Sequence, residues 1–203
     1  MHHDHVLLKV RSLVRLHVNV SFELRRGECI TIQGASGSGK TLLLRAIADL
    51  DPSEGTVMLA GATRERMPAP AWRRQVTFVA AEPGWWGDTV REHFAKWEEA
   101  LPLIEELSLP SSCAEWNIQR LSTGERQRLG LVRALALHSR VLLLDEPTSG
   151  LDADATAAVE AMIARRAQAG TGVIWVTHDA EQARRIASRR FIIKDGRMTE
   201  EQT

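Results

Sequence analysis

The sequence has no tyrosine, only two cysteines and no excess of either charge, with 26 Lys and Arg against 26 Asp and Glu. Cys29 lies in an apolar strand-like run and Cys113 in a Ser- and Pro-rich loop. Neither zinc spacing nor a redox pair is present, so both read as free thiols and a zinc or disulfide-framed module is excluded. The neutral balance argues against a chain built to coat nucleic acid, which requires clustered Lys and Arg, so no nucleic-acid partner is expected. The longest apolar runs, 141–144 and 173–176, fall far short of the ~20 residues that cross a bilayer. The opening Met1-His2-His3-Asp4-His5 lacks the apolar stretch of an export signal, so a cytoplasmic protein is expected; its three histidines resemble a tag-like tail more than a metal site. Repeats, low-complexity tracts and Gly/Ser linkers are also lacking.

What is there is one domain's worth of chain: 203 residues, 44% hydrophobic and 26% charged. At that size roughly 70% of the unfolded surface can be buried without a staple. Short strands are expected at 6–10, 18–24 and 28–33, the last running into Gly34, followed by a helix from Thr41. That helix carries Leu43, Leu44, Ile47 and Leu50 at helical spacing and is stopped by Asp51-Pro52. Further strands are expected at 56–60, 75–79, 141–144, 173–176 and 190–194. Helices are expected over 89–107, interrupted at Pro102, over 124–138 and 153–169, and from Ala180. Strands alternating with helices predict an α/β fold with a mainly parallel sheet covered on both faces. The helical middle, about 84–139, reads as an insertion in a single domain spanning 1–203.

Gly34-Ala35-Ser36-Gly37-Ser38-Gly39-Lys40-Thr41 matches the G-x-x-x-x-G-K-[ST] loop and sits between a strand and a helix, as that chemistry requires. The glycines let backbone N–H groups converge on phosphate oxygens at the positive end of the new helix. Lys40 is placed to reach the β and γ phosphates, and the Thr41 hydroxyl to bind Mg²⁺. The apolar strand 141–144 ends in Asp145 and Glu146, at the sheet edge where α/β folds collect ligands. Asp145 reads as a direct or outer-sphere Mg²⁺ partner, and Glu146 as the group that orients and polarises the attacking water. The plainer alternative is that both acids cap the turn Pro147-Thr148-Ser149-Gly150. His178 emerges from the strand 173–176 at the same edge, in reach of a γ-phosphate or the water. Ser122 and Glu125 form an S-x-x-E capping box, a helix start whose free N–H groups make an anion site remote in sequence from the glycine loop.

In this order the motifs resemble the ATP-binding subunits of ABC transporters. Leu121-Ser122-Thr123-Gly124-Glu125-Arg126-Gln127-Arg128 is similar to the family's L-S-G-G-Q signature, Ser149-Gly150-Leu151-Asp152 to its D-loop and His178 to its switch histidine. The resemblance covers nearly the whole chain. It implies a P-loop NTPase fold with N-terminal antiparallel strands and a helical insertion carrying the signature. It also implies ATP and Mg²⁺ as ligands, and a head-to-tail dimer, homomeric or with a paired ABC subunit. In that dimer Ser122, Thr123, Gly124 and Glu125 of one chain, with Asp152, close over the ATP held by 34–41 of the other. A separate transmembrane subunit, and a place on the cytoplasmic face of the inner membrane, follow from the same likeness. The segments 76–83, 87–90 and 175–179 are similar to the bacterial iron-export type.

The chain departs from that pattern at two points. Ala81 stands where the family has a glutamine that helps bind Mg²⁺, leaving Glu82 as the adjacent oxygen donor. Arg15 stands near the position of the adenine-stacking aromatic; its guanidinium can stack on a base, but a solvated arginine is the ordinary reading. Trp85 and Trp86 read either as a docking surface for a membrane subunit or as core filling. Arg184, Arg185, Arg189 and Arg190 can face acidic lipid heads, but a solvated face is the ordinary reading. A soluble ABC-type ATPase serving assembly or nucleic acid, and a nucleotide-gated module of low turnover, remain as alternatives.

Overall fold

The computed structural model describes residues 6–201; His2, His3 and His5 lie outside them. Among the described residues ten strands form one sheet in the order β5-β4-β1-β2-β10-β9-β3-β8-β7-β6. In chain order these are β1 (Val6–Arg15), β2 (Val18–Arg25), β3 (Cys29–Gln33), β4 (Glu54–Leu59), β5 (Ala62–Thr63), β6 (Val76–Val79), β7 (Val141–Asp145), β8 (Gly172–Val176), β9 (Arg189–Lys194) and β10 (Arg197–Glu200). The helices are α1 (Lys40–Ile47), α2 (Ala69–Gln75), α3 (Trp97–Glu106), α4 (Thr123–Leu135), α5 (Ala153–Gln168) and α6 (Ala180–Ile186).

The block β9-β3-β8-β7-β6 is parallel throughout. Its inner strands β7 and β8 are buried along their full length, as strands covered on both faces must be. Alternation along them feeds two separate cores. Val141, Leu143, Ile174 and Val176 face a cluster with α1, Trp72 and the antiparallel strands β1, β2 and β4. Leu142, Leu144, Val173 and Trp175 face a second cluster built with α3, α4 and α5. The antiparallel strands attach through β10, which pairs antiparallel with β9 and parallel with β2 at Arg197↔Asn19.

Several expected boundaries move. Strand β1 runs on to Arg15, with register shifts against β2. Helix α1 ends before Asp51-Pro52 because Asp49 adopts φ 60°, with Asp49 N–H donating to Ala46 O (3.2 Å) and Leu50 N–H to Arg45 O (2.9 Å). That closure throws Leu50 outward, 38% exposed, so it does not belong to the helix's apolar face. The segment 89–107 is not one helix: Val90 N–H donates to Trp116 O (3.1 Å) and Thr89 bridges Asn117, so these backbone groups pair across the chain. Only a 3-10 turn, Arg91–His93, and then α3 form there. Pro102 lies inside α3 without ending it; burial of Trp97, Ala100, Leu103 and Ile104 offsets the missing hydrogen bond. Helix α2 and strands β5 and β10 were not anticipated.

Candidate functional site

The carboxyl ends of the adjacent strands β3, β8 and β7 each deliver one part of the site. After β3 the chain turns through Gly37 (φ 77°) and Gly39 (φ 97°), and Gly39 caps α1. A Cβ at Gly39 would collide with Val18 Cγ2, so the turn beneath the loop admits only glycine there. Lys40 is buried, and its Nζ donates to Gly34 O (2.8 Å) and Ala35 O (3.0 Å), folding Gly34-Ala35-Ser36 over the ammonium. Burial pushes the Lys40 pKa down, while Glu146 and Asp145 act in the opposite sense. The first turn of α1 holds no acidic residue, which leaves its positive end uncompensated by side chains. The Ser38 hydroxyl is buried without a partner. A loop with an uncompensated helix end, a centred ammonium and an unpaired hydroxyl fits a phosphate chain.

At the end of β7, Asp145 is buried and its Oδ2 accepts from Thr41 Oγ1 at 2.7 Å. Among the described residues no three His, Cys, Asp or Glu side chains converge as a metal cluster. The Thr41–Asp145 oxygen pair instead suits Mg²⁺, which takes few protein ligands and completes its shell with waters and phosphate oxygens. Glu82 is exposed.

Glu146 takes φ 49°, a left-handed conformation that costs a non-glycine residue about 1–3 kcal/mol and concentrates at functional positions. Its N–H donates to Val176 O (3.0 Å), which pins the strained residue to β8. Its Oε1 lies 2.6 Å from His178 Nε2, so the carboxylate and the imidazole expected at this edge are in direct contact. The chain around His178 is fixed by Asp179, which caps α6 by accepting from Glu181 N–H and Gln182 N–H, and by the buried Gln182. Gln182 Oε1 accepts from Thr177 Oγ1 (2.8 Å), and its Nε2 donates to Thr148 Oγ1 (3.0 Å) and Glu160 Oε1 (2.9 Å). It ties the histidine loop to the turn after Glu146. Sequence reading passed over it, and no local motif marks it.

The capping box is formed: Glu125 N–H donates to Ser122 Oγ (3.2 Å), and Ser122 N–H donates to Glu125 Oε2 (2.8 Å). The Ser122 hydroxyl also donates to Glu125 Oε2 (2.9 Å), so its hydrogen is spent inside the chain. Ser122, Thr123, Gly124, Arg128, Gly150 and Asp152 line part of a cavity of about 330 Å³. None of Gly34-Ala35-Ser36-Gly37-Ser38-Gly39-Lys40-Thr41 lines it. Asp152 is the N-cap of α5, accepting from Ala155 N–H at 2.8 Å.

The aromatic pair is divided between core and surface. Trp85 packs on the second core, while Trp86 is 72% exposed. The buried His93 accepts from Trp86 N–H and Gly87 N–H through Nε2, both at 2.9 Å, and Nδ1 pairs with Thr89 O (2.9 Å). The Arg133 guanidinium stands 4.7 Å and 4.8 Å from the two indole centroids. Arg15 is half-buried, its Nε without a partner. Arg185, Arg189 and Arg190 are committed to Glu160, Glu200 and Glu201 respectively, which leaves no free basic face among those three.

Comparison with known proteins agrees with this geometry. The family model described as ABC transporter matches residues 17–149. The probable iron export ATP-binding protein FetA of Escherichia coli (strain K12) is 38% identical over 176 residues, spanning 81% of this chain and 78% of that protein. The phosphate import ATP-binding protein PstB 2 of Natronomonas pharaonis is 35% identical over 209 residues, spanning 90% and 72%. Among solved structures, an ATP binding subunit of an ABC transporter superimposes with a TM-score of 0.86 at 24% identity, covering 96% of this chain and 89% of the other. A dimeric ATP-binding cassette in a post-hydrolysis state, bound to ADP and Pi, gives 0.85 at 24% identity, covering 97% and 98%. At these identities the structural likeness establishes the fold.

Proposed function

The chain belongs to the ABC transporter family of ATPases, and from that premise we propose that it is the subunit whose ATP binding and hydrolysis power a separate membrane transporter. The observation that carries this reading is the delivery of Lys40, the Thr41–Asp145 pair and the Glu146–His178 pair by three neighbouring strand ends. Backbone amides of Gly34-Ala35-Ser36-Gly37-Ser38-Gly39-Lys40-Thr41, with the Lys40 ammonium, bind the triphosphate. Thr41 and Asp145 hold Mg²⁺, which when bound offsets charge on the phosphates. Glu146 takes a hydrogen bond from the attacking water and draws its proton, and His178 steadies the carboxylate through Nε2 while facing the γ-phosphate. Ser122, Thr123, Gly124 and Glu125, beside Asp152, seal the ATP of a second chain packed head to tail, so ATP closes the dimer and hydrolysis reopens it.

Among the described residues no helix is long and apolar enough to cross a membrane, and the transport path is assigned to a second subunit. The exposed Trp86 and a cavity of about 230 Å³, lined by Phe78, Pro83, Arg133 and the half-exposed Leu137 among others, offer that subunit an aromatic anchor and a seat of mixed polar and apolar character. On this reading the protein sits peripherally on the cytoplasmic face of the inner membrane. Trp86→Ser is expected to lower recovery with the membrane subunit at least about tenfold in a pull-down from detergent extracts, the scale of a lost interface anchor.

The reading is tested by following the tagged chain through membrane fractionation and measuring phosphate release from MgATP. Turnover together with recovery on membranes is expected. Turnover in the soluble fraction alone would assign the chain to a soluble ABC-type ATPase, and nucleotide binding without turnover to a gated module.

A further inference from the structure

One face of α4 grips the loop after β6 at three successive points. Gln127 Nε2 donates to Ala81 O (3.3 Å). Gly130 lies flat against Pro83, where any Cβ would collide with the proline ring. Arg133 Nη1 donates to Gly84 O (3.0 Å). Positions 127, 130 and 133 stand three apart and share one side of the helix. The loop is therefore held at Ala81, Pro83 and Gly84, and Ala81 needs no functional side chain for this.

Gln127 is buried, and its amide has other partners. Nε2 also donates to Ser149 Oγ (3.0 Å), and Oε1 accepts from Gly150 N–H (3.1 Å). Ser149 N–H in turn donates to Glu146 O (3.2 Å), closing the turn that carries the strained carboxylate. A single side chain on the helix begun by Ser122 thus joins the Trp86 loop to the backbone of Glu146. A buried amide with both donors and its acceptor engaged has little room to yield, because a shift on one side leaves a polar group unpaired on the other.

We infer that Gln127 is a positioning residue that couples the loop after β6 to the Glu146 turn, so that displacement at the Trp86 end reaches the catalytic carboxylate through one amide. The kinetic arm of this inference rests on the proposed ATPase function; the structural arm does not.

The test uses the full chain with Gln127→Leu, which keeps size and helix propensity but removes every hydrogen bond of the amide, and Gln127→Glu, which can still accept from Gly150 N–H and from the Ser149 hydroxyl but loses the bond to Ala81 O. Hydrogen–deuterium exchange is followed with and without a non-hydrolysable MgATP analogue, alongside steady-state kinetics. In wild type, nucleotide is expected to slow exchange in both 34–41 and 81–87. In both variants the response of 34–41 persists, while that of 81–87 falls to half or less. In Gln127→Leu, kcat drops about 10- to 100-fold with KM within about threefold, as for a misplaced catalytic group. Unchanged responses and unchanged kcat in the variants would overturn the inference. So would a wild type whose 81–87 segment ignores nucleotide, or variants that lose the 34–41 response equally. Wild type with both responses and no turnover would sink the ATPase reading and leave the coupling standing.

Discussion

Glu146→Gln is expected to keep its nucleotide and lose its turnover, with kcat down at least about a hundredfold and the dissociation constant for MgATP no weaker than in wild type. The substitution is nearly isosteric, so the φ 49° backbone, the N–H to Val176 O and the closure of the turn onto Ser149 are all retained. What goes is a carboxylate able to accept a proton from water, because an amide oxygen is too weak a base for that step. Binding is spared for an electrostatic reason: Glu146 is one of two carboxylates acting on Lys40, and removing its charge leaves the ammonium a fuller attraction for phosphate. Phosphate release and equilibrium binding of a fluorescent nucleotide, measured on one preparation, check both halves. Near-normal turnover would show that another group organises the water.

Lys40→Ala should give the reverse phenotype, with affinity for MgATP falling at least about a hundredfold while the fold persists. The ammonium is buried, and without it Gly34 O and Ala35 O lose their donor and Asp145 and Glu146 face the entering triphosphate unopposed. Gly34 is only half-buried and Ala35 exposed, so water can take up much of the lost bonding, and the melting temperature should fall only slightly in a fold with two cores. Titration by calorimetry and a thermal melt separate the two effects. Wild-type affinity would remove the phosphate loop from the site. Arg is no rescue at 40, since a planar fork of directional N–H groups does not reproduce the compact ammonium that donates to both carbonyls.

These groups were legible in the sequence because each is written in a few consecutive residues whose chemistry is local: a glycine turn before Lys40 and Thr41, an apolar strand ending in two acids, a Ser and a Glu three apart. The parallel core was legible for the same reason, since β7 and β8 are unbroken apolar runs. Helix α2 carried a readable sign that was missed, Pro68 at the cap and Pro70 in the first turn, where proline starts helices as readily as it ends them. The helix expected over 89–107 failed because Thr89 and Val90 find partners at Asn117 and Trp116, a pairing no window of local periodicity contains. Gln127 and Gln182 were hidden more completely: a glutamine in a helix looks like a solvated residue until the loops folded over it supply its partners.

The strand that carries the phosphate loop has a further consequence for how the protein is made. Both neighbours of β3 come from far downstream in the sequence, β8 at Gly172–Val176 and β9 at Arg189–Lys194. While the ribosome is still extending the chain, that strand stands with both edges bare, and the loop after it has no rigid base on which to converge its amides. Capture of ATP by a nascent chain must therefore wait until β8 and β9 have been made. A copy stopped short of β9 is expected to hold no nucleotide.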